Sequence, residues 1–209
     1  MAAFVRSAPL PEFSGDNFRS LADSDFYNNV DNSLSILRKI VHSIPETHRA
    51  CIIANTIDLN SEKGKFALVA KRIGIPVSPV LHVSSENSTM SLQESTLVQM
   101  SEGLLLHQTL LSSISTHLGP QDTVTELLTD IRDLLFQIRK LLKIIKGDSA
   151  EHPVAHVLNL QLPGEFDVQV ATHVTLQQLQ DFGQDMERIL RRVAQANEDV
   201  TQPTEPEQL

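Results

Sequence analysis

The sequence predicts an all-α protein, a left-handed four-helix bundle of up-up-down-down topology with two long crossover loops and a short extra helix in the first crossover. Three observations support this fold class. Aromatic residues make up only 4% of the 209 residues and Trp is absent, whereas an all-β sandwich normally uses more aromatic and β-branched residues. Four long segments repeat apolar residues at spacings of three and four, the period of a helix. The links between these segments differ greatly in length, which restricts the topology.

The four periodic segments predict long helices over residues 24–43, 91–116, 122–146 and 165–196. Ser24 or Asp25 is the predicted N-cap of the first helix, and Pro45 is predicted to stop it. The third helix has acidic residues at its start and basic residues at its end, as the helix dipole favours, and Gly147 follows it as a C-terminal stop.

The link between the second and third helices is only a handful of residues, so these two helices are predicted to be antiparallel. The other two links, of about 45 and about 18 residues, are longer than a simple hairpin needs and predict parallel neighbours joined by crossovers. The first crossover is predicted to hold a short helix over residues 63–72, ended by Gly74 and Pro76. The predicted organisation is a flexible N-terminal arm over 1–24, the bundle over 25–196 and a disordered acidic tail over 197–209.

Composition excludes several classes of partner. The formal charge of −9 would repel phosphate backbones, so we expect no nucleic-acid partner. No run of roughly 18 apolar residues occurs, so no membrane insertion is expected. The first residues lack the apolar stretch of a signal peptide, which fits either an intracellular protein or a mature form whose leader has been removed. Cys51 is the single cysteine; it excludes an intramolecular disulfide and is predicted to be a small buried hydrophobe.

No motif for catalysis or cofactor binding is present. The chain has no glycine-rich phosphate loop, no HExxH, no GxSxG and no paired Glu-x-x-His motif of a di-iron bundle. We therefore expect no enzyme activity, no cofactor and no metal. His152 and His156 are four residues apart, but Pro153 separates them and a structural zinc site needs four ligands. His107 is predicted to be a hydrogen-bonded, partly buried histidine. Asn87 opens an N-glycosylation sequon that applies only if the protein is secreted.

Polar helix faces are the remaining candidates for function. The first helix carries Asp31, Ser35, Arg38, Lys39 and His42 on one side, and the third carries Glu126, Asp130, Asp133 and Gln137. Solvated charge is the default for any such face. Two other interpretations stay open: a bundle that opens to bind lipid, suggested by the broad leucine face of the second helix but opposed by the charge of −9, and an intracellular helical scaffold.

Several motifs that follow one another along the chain resemble the granulocyte colony-stimulating factor and myelomonocytic growth factor family. They are Arg72-Ile-Gly-Ile-Pro-Val-Ser-Pro79, Gly103-Leu-Leu-Leu-His-Gln-Thr-Leu-Leu111, Leu118-Gly-Pro120, Asp122-Thr-Val, Leu-Thr-Asp130-Ile, Val170-Ala-Thr-His-Val and Arg188-Ile-Leu-Arg-Arg, with the weaker Leu37-Arg-Lys-Ile40. The resemblance implies a divergent, disulfide-free member of the long-chain four-helix cytokines. Such a protein is secreted, monomeric when free, and binds a class I haematopoietic cytokine receptor to promote granulocyte proliferation and differentiation.

The resemblance also implies a main receptor site on the polar faces of the first and third long helices. Arg38 and Lys39 match the Arg-Lys pair of the family, and Asp130 matches a family aspartate. Ser35 stands where the family has a glutamate, and Glu126 would replace a second aspartate that aligns with the neighbouring leucine. Together with Asp31 and Asp133 of the same faces, these residues form the predicted main site.

A second receptor site is implied in the first crossover. The family uses a glutamate there, and Lys65 occupies its aligned place, which reverses the charge. Glu62, about one turn earlier, is the residue that would substitute for it. The two disulfides of the family have no counterpart, so the apolar core alone has to stabilise this chain.

Overall fold

A computed structural model describes residues 15–81, 94–146 and 158–201, with side chains over 24–81, 94–145 and 158–195. In this part of the chain the backbone forms five helices and no strand. The helices are α1 (Gly15–Cys51), α2 (Ala67–Ile73), α3 (Glu94–Ser115), α4 (Asp122–Lys146) and α5 (Glu165–Thr201). The predicted all-helical, bundle-like class is confirmed, with α1, α3, α4 and α5 as the four long helices and α2 as the short one.

Helix bounds agree with the sequence prediction in the middle of the chain and differ toward its two ends. The bounds of α4 and the start of α5 are as predicted. However, α1 begins at Gly15, inside the segment predicted as an arm, and α5 continues to Thr201, inside the segment predicted as a tail. The short helix, predicted over residues 63–72, spans Ala67–Ile73, and residues 63–66 form turns before it.

The prediction that Pro45 stops the first helix is wrong, since α1 continues through this residue to Cys51. A proline inside a helix costs about 3 kcal/mol because it lacks an N–H and crowds the preceding turn. Packing on both sides of Pro45 opposes that cost: Ile44 and His48 are buried, and Pro45 itself is exposed. Tertiary burial therefore carries the helix past a local stop signal.

The four long helices pack around one another in a fixed set of pairs. α1 packs against α4 and α5, α3 packs against the same two helices, and α2 packs against α5. Within the described residues α1 and α3 therefore occupy opposite corners of the bundle. Leu, Ile, Met and Phe side chains from all four long helices fill the centre, among them Leu37, Leu104, Leu134 and Phe182.

A second apolar cluster closes one end of the bundle. It joins Leu110 and Ile114 of α3 to Val168 and Ala171 of α5, and it includes Ile57 from the segment that follows α1. This cluster brings the last turns of α3 and the first turns of α5 to the same end of the molecule.

The short helix α2 is attached by polar contacts at its end to α5 and to the segment just before it. Arg72 forms an ion pair with Asp167 of α5, and the backbone N–H of Gln161 donates to the carbonyl of Ile73 at 2.9 Å. Gly74 ends α2 with φ +85°, and its N–H bonds back to the last turn. This left-handed conformation favours glycine, as the sequence predicted.

Close approach of α5 to α1 gives a first testable prediction, at Gly183. A Cβ atom there would lie 2.9 Å from Val41 Cγ2, so Gly183→Ala crowds the helix contact. The higher helix propensity of alanine offsets part of the crowding, and we expect a net loss of about 1 kcal/mol in the free energy of unfolding. Urea unfolding measures this loss. Adding Val41→Ala removes the crowded methyl group, so the double variant should lose less stability than the sum of the losses in the two single variants. A loss equal to that sum would contradict the described contact.

Candidate functional site

The predicted main receptor site brings α1 and α4 together through one ion pair. Lys39 Nζ of α1 donates to Asp130 Oδ1 of α4 at 2.7 Å. The hydrogen bond and charge of Asp130 raise the pKa of Lys39, and the nearby carboxylates of Glu126 and Asp133 add to the effect. Asp130 was expected to be solvated as part of a polar helix face, but it is buried beneath the exposed Lys39.

The neighbouring Arg38 contacts the other partner helix of α1. Its Nε donates to Glu187 Oε1 of α5 at 3.1 Å, and Glu187 also accepts from Arg191 on its own helix. Desolvation opposes ionisation of Glu187, but the hydrogen bonds from Arg191 and Arg38 are sufficient to hold its pKa below the ordinary value. The Arg38-Lys39 pair thus connects α1 to both neighbouring helices.

The remaining predicted residues of the main site lie on the surface of the same two helices. Asp31 and Ser35 are exposed on α1, and Glu126 and Asp133 are exposed on α4. Asp133 contacts Arg132 Nε at 3.5 Å, which is a weak surface pair. We call the set Asp31, Ser35, Arg38, Lys39, Glu126, Asp130 and Asp133 the α1/α4 surface. It carries both signs of charge, and Lys39–Asp130 joins its two helices.

Side chains spaced four residues apart on α5 hold the loop of residues 52–66 that follows α1. Gln169 Oε1 accepts from the backbone N–H of Ala54 at 2.9 Å, and Gln177 Nε2 donates to the carbonyls of Leu59 and Ser61, both at 3.2 Å. His173 Nε2 lies 3.4 Å from Ser61 Oγ, and Asp181 accepts from Lys63 Nζ at 2.8 Å. We call Gln169, His173, Gln177 and Asp181 the α5 ladder.

Behind the α5 ladder, His173 is joined to a second buried histidine. His48 Nε2 of α1 lies 3.1 Å from His173 Nδ1, and both side chains are almost fully buried. Burial lowers the pKa of both rings, that of His173 to about 4, with the charges of His48 and Lys65 adding to the lowering at His173. At neutral pH both rings are therefore uncharged, and one donates to the other.

The predicted second receptor site lies on this same loop. Glu62 and Lys65 are exposed and line an open groove of about 750 Å³ between the loop, α2 and α5. Lys65 Nζ donates to the carbonyl of Thr56 at 3.0 Å and lies 5.3 Å from the centre of the Phe66 ring. The residues of the predicted second site are thus on the α5 side of the loop, whereas those of the predicted main site lie on α1 and α4.

Two other residues predicted to be inert are confirmed as buried. His107 is buried completely, more than expected, with Nε2 3.1 Å from Ser78 Oγ and its ring beside Phe182. Desolvation lowers the pKa of His107 to about 3. Cys51 is buried, and burial raises its thiol pKa to about 11, which disfavours the reactive thiolate.

Residues 24–81, 94–145 and 158–195 contain no cluster of three or more side chains that could hold a metal ion. None of the helices in the described ranges has the length and apolar character needed to cross a membrane. Asn87, His152 and His156 lie outside the described residues.

Sequence reasoning missed the α5 ladder and Glu187. A signal for the ladder was present, because Gln169, His173, Gln177 and Asp181 recur every four residues on one side of α5. Glu187 had no comparable signal, since its partner Arg38 is distant in sequence. Searches of protein-family models and of curated proteins give no match to this chain.

Proposed function

We propose that this protein is a secreted cytokine that binds a class I haematopoietic cytokine receptor through the α1/α4 surface and promotes granulocyte proliferation and differentiation. One observation carries the proposal. Lys39 of the Arg38-Lys39 pair and Asp130, which match receptor-binding residues of the granulocyte colony-stimulating factor family, come together on two adjacent helices through a 2.7 Å ion pair. Two residues that are far apart in the sequence, and that each match a residue of the family, thus lie side by side on one surface.

We also propose the up-up-down-down, left-handed topology of that family. Arg38 contacts Glu187, and His48, ten residues later in α1, contacts His173, which comes fourteen residues earlier in α5 than Glu187. Residue numbers therefore increase along α1 in the direction in which they decrease along α5. This supports opposite directions for these two helices. The contact of Leu110 at the end of α3 with the first turns of α5 supports the same relation between α3 and α5. The short link of α3 to α4 then gives α4 the direction of α5.

The α1/α4 surface recognises its receptor by charge matched in space. Lys39 is largely exposed while Asp130 is held beneath it, so the lysine is positioned by a partner that stays ordered. An ordered charge loses less conformational entropy on binding than a free one. Exposed charges such as Asp31 and Glu126 at the margin act mainly on the association rate.

Exchange of the two paired charges tests the proposal. Lys39→Asp with Asp130→Lys keeps an ion pair between α1 and α4 but reverses its polarity toward a partner. We expect the affinity for the immobilised receptor ectodomain to fall about 30-fold or more, because truncating or reversing an interfacial charge costs 2 kcal/mol or more. Surface plasmon resonance measures the affinity, and circular dichroism at 222 nm checks that helix content is kept.

The matched control is Asp185→Arg with Arg188→Asp, which reverses a surface ion pair within α5, outside both predicted receptor sites. Its affinity for the main receptor site should stay within about twofold of wild type. An unchanged affinity in the Lys39/Asp130 exchange, with wild type bound, would contradict the assignment of this surface.

A further inference from the structure

The α5 ladder holds a loop that has little regular structure of its own. Between Cys51 and Ala67 the chain forms turns and no helix. Its backbone groups are satisfied in part by α5 side chains: Ala54 bonds to Gln169, and the carbonyls of Leu59 and Ser61 bond to Gln177. The position of this loop therefore depends on side-chain hydrogen bonds as well as on the burial of Ile57, and these hydrogen bonds are easier to break than a helix.

His173 is the central member of the ladder, and it is the one that connects three parts of the fold. Its Nε2 faces Ser61 Oγ of the loop, its Nδ1 faces His48 Nε2 of α1, and its ring meets Phe66 edge-on with centres 5.3 Å apart. Ser61 and Phe66 both belong to the loop. Separation of His173 from its partners would therefore remove the contacts of the Ser61 and Phe66 side chains with this ring and loosen the part of the loop that carries Glu62 and Lys65, while Gln177 and Asp181 keep their own contacts with it.

The hydrogen bond between the two rings requires that at least one of the facing nitrogens carries no proton. At neutral pH one ring donates and the other accepts. If both rings become cationic, two N–H groups face each other across 3.1 Å with no acceptor between them. A single added proton keeps this bond but places a charge on a ring that is buried.

Charged groups around the pair belong to the loop and the groove. Asp58 favours a positive charge on both rings, whereas Lys65 opposes one on His173. Glu62, Lys63, Lys71 and Asp181 line the adjoining groove, and Lys63 and Asp181 neutralise each other. Asp58 is thus the carboxylate that acts directly on the rings, against burial and Lys65, and burial prevails.

We propose that the His48–His173 pair is an acid-sensitive latch: it holds the loop of residues 52–66 on α1 and α5 at neutral pH and releases it when the rings take up protons. The loop carries Glu62 and Lys65 of the second receptor surface, so acid opening would also remove that surface. This last consequence rests on the proposed function, whereas the opening itself does not.

Amide hydrogen exchange tests the opening directly. With a pKa of about 4 for His173 while the loop is closed and an ordinary pKa of about 6.5 for this α5 residue once the loop has opened, the open fraction rises about 30-fold from pH 7.5 to pH 5.0. After correction for intrinsic exchange, the protection of residues 52–66 should fall by at least this factor. Amides of α4, which contains no histidine, serve as the internal reference: they exchange through global unfolding and should stay better protected than the loop at both pH values.

The double variant His48→Gln/His173→Gln replaces both rings with groups that hydrogen-bond but do not titrate. Its loop should show little change in protection between the two pH values. The matched control His117→Gln, at an exposed position after α3, should behave as wild type. Wild-type loop protection that does not change with pH overturns the latch, and so does loop protection equal to that of α4 at both pH values, because opening would then be global. A double variant as pH-sensitive as wild type also overturns it.

Receptor binding at pH 7.4 and pH 5.5 separates the latch from the proposed function. Wild type that binds no receptor at pH 7.4 contradicts the proposed function and leaves the exchange result standing. Wild type that binds at pH 7.4 should lose more affinity at pH 5.5 than the double variant does. Equal losses would contradict the link between the latch and the second surface.

Discussion

Phe182→Ala is expected to lower the free energy of unfolding by about 3–5 kcal/mol, the usual cost of removing a buried aromatic side chain. Phe182 is almost completely buried in the central core, and its ring lies beside His107 of α3. The cavity would open where α3 and α5 meet. Urea unfolding followed by circular dichroism measures the loss. Phe166→Ala is the matched control, because Phe166 is on the same helix but is half-exposed, and it should change stability by less than about 0.5 kcal/mol.

Gly103 makes this prediction sharper, because it gives Phe182 its space. A Cβ atom at Gly103 would lie 2.2 Å from Phe182 Cζ, so Gly103→Ala alone should cost about 2 kcal/mol even after the gain in helix propensity. In the double variant Gly103→Ala/Phe182→Ala the new methyl group enters the space that the ring has left. Its loss should therefore be clearly smaller than the sum of the two single losses. A sum within 0.5 kcal/mol of the double value would contradict the packing of α3 against α5.

Acidification from pH 7.5 to pH 5.0 is expected to destabilise the whole fold by about 4 kcal/mol. Burial lowers the pKa of His107 to about 3 and that of His173 to about 4, whereas both rings titrate near 6.5 in the unfolded chain. Between these values the unfolded chain binds more protons, so stability is complete above pH 6.5 and falls as the pH decreases toward the folded pKa values. Each histidine contributes about 2 kcal/mol over this range.

Urea unfolding of His107→Gln at the two pH values isolates one of these contributions. The difference in stability between pH 7.5 and pH 5.0 should shrink by about 2 kcal/mol relative to wild type. His117→Gln, at an exposed position, should leave the difference unchanged. A wild-type protein equally stable at both pH values would show that the buried histidines do not remain neutral in the folded state.

Much of the fold could be predicted because the apolar residues of each long helix recur in the sequence with the period of a helix. Apolar residues of α4 such as Leu127, Ile131 and Leu134 follow one another at spacings of three and four residues, and the predicted bounds of this helix match the observed ones. The end of α1 could not be predicted the same way. Pro45 is a strong local stop, and only the burial of Ile44 and His48 in three dimensions overrides it.

The burial of Asp130 within the α1/α4 surface could not be predicted from the sequence. A family resemblance placed Lys39 and Asp130 on one surface, yet periodicity gave no sign that Asp130 is buried beneath the lysine. That arrangement depends on how closely α1 approaches α4, which a single helix does not encode. The contact of Arg38 with Glu187 is hidden for the same reason.

The most direct test of the central proposal is a colony assay with bone-marrow progenitors. Purified wild-type protein should give colonies of the neutrophil lineage, because the α1/α4 surface is proposed to engage a granulocyte-type cytokine receptor. The Lys39→Asp/Asp130→Lys protein, with its helix content intact, should give few colonies at the same concentration. No colonies with wild type, or equal numbers with the two proteins, would contradict the proposal.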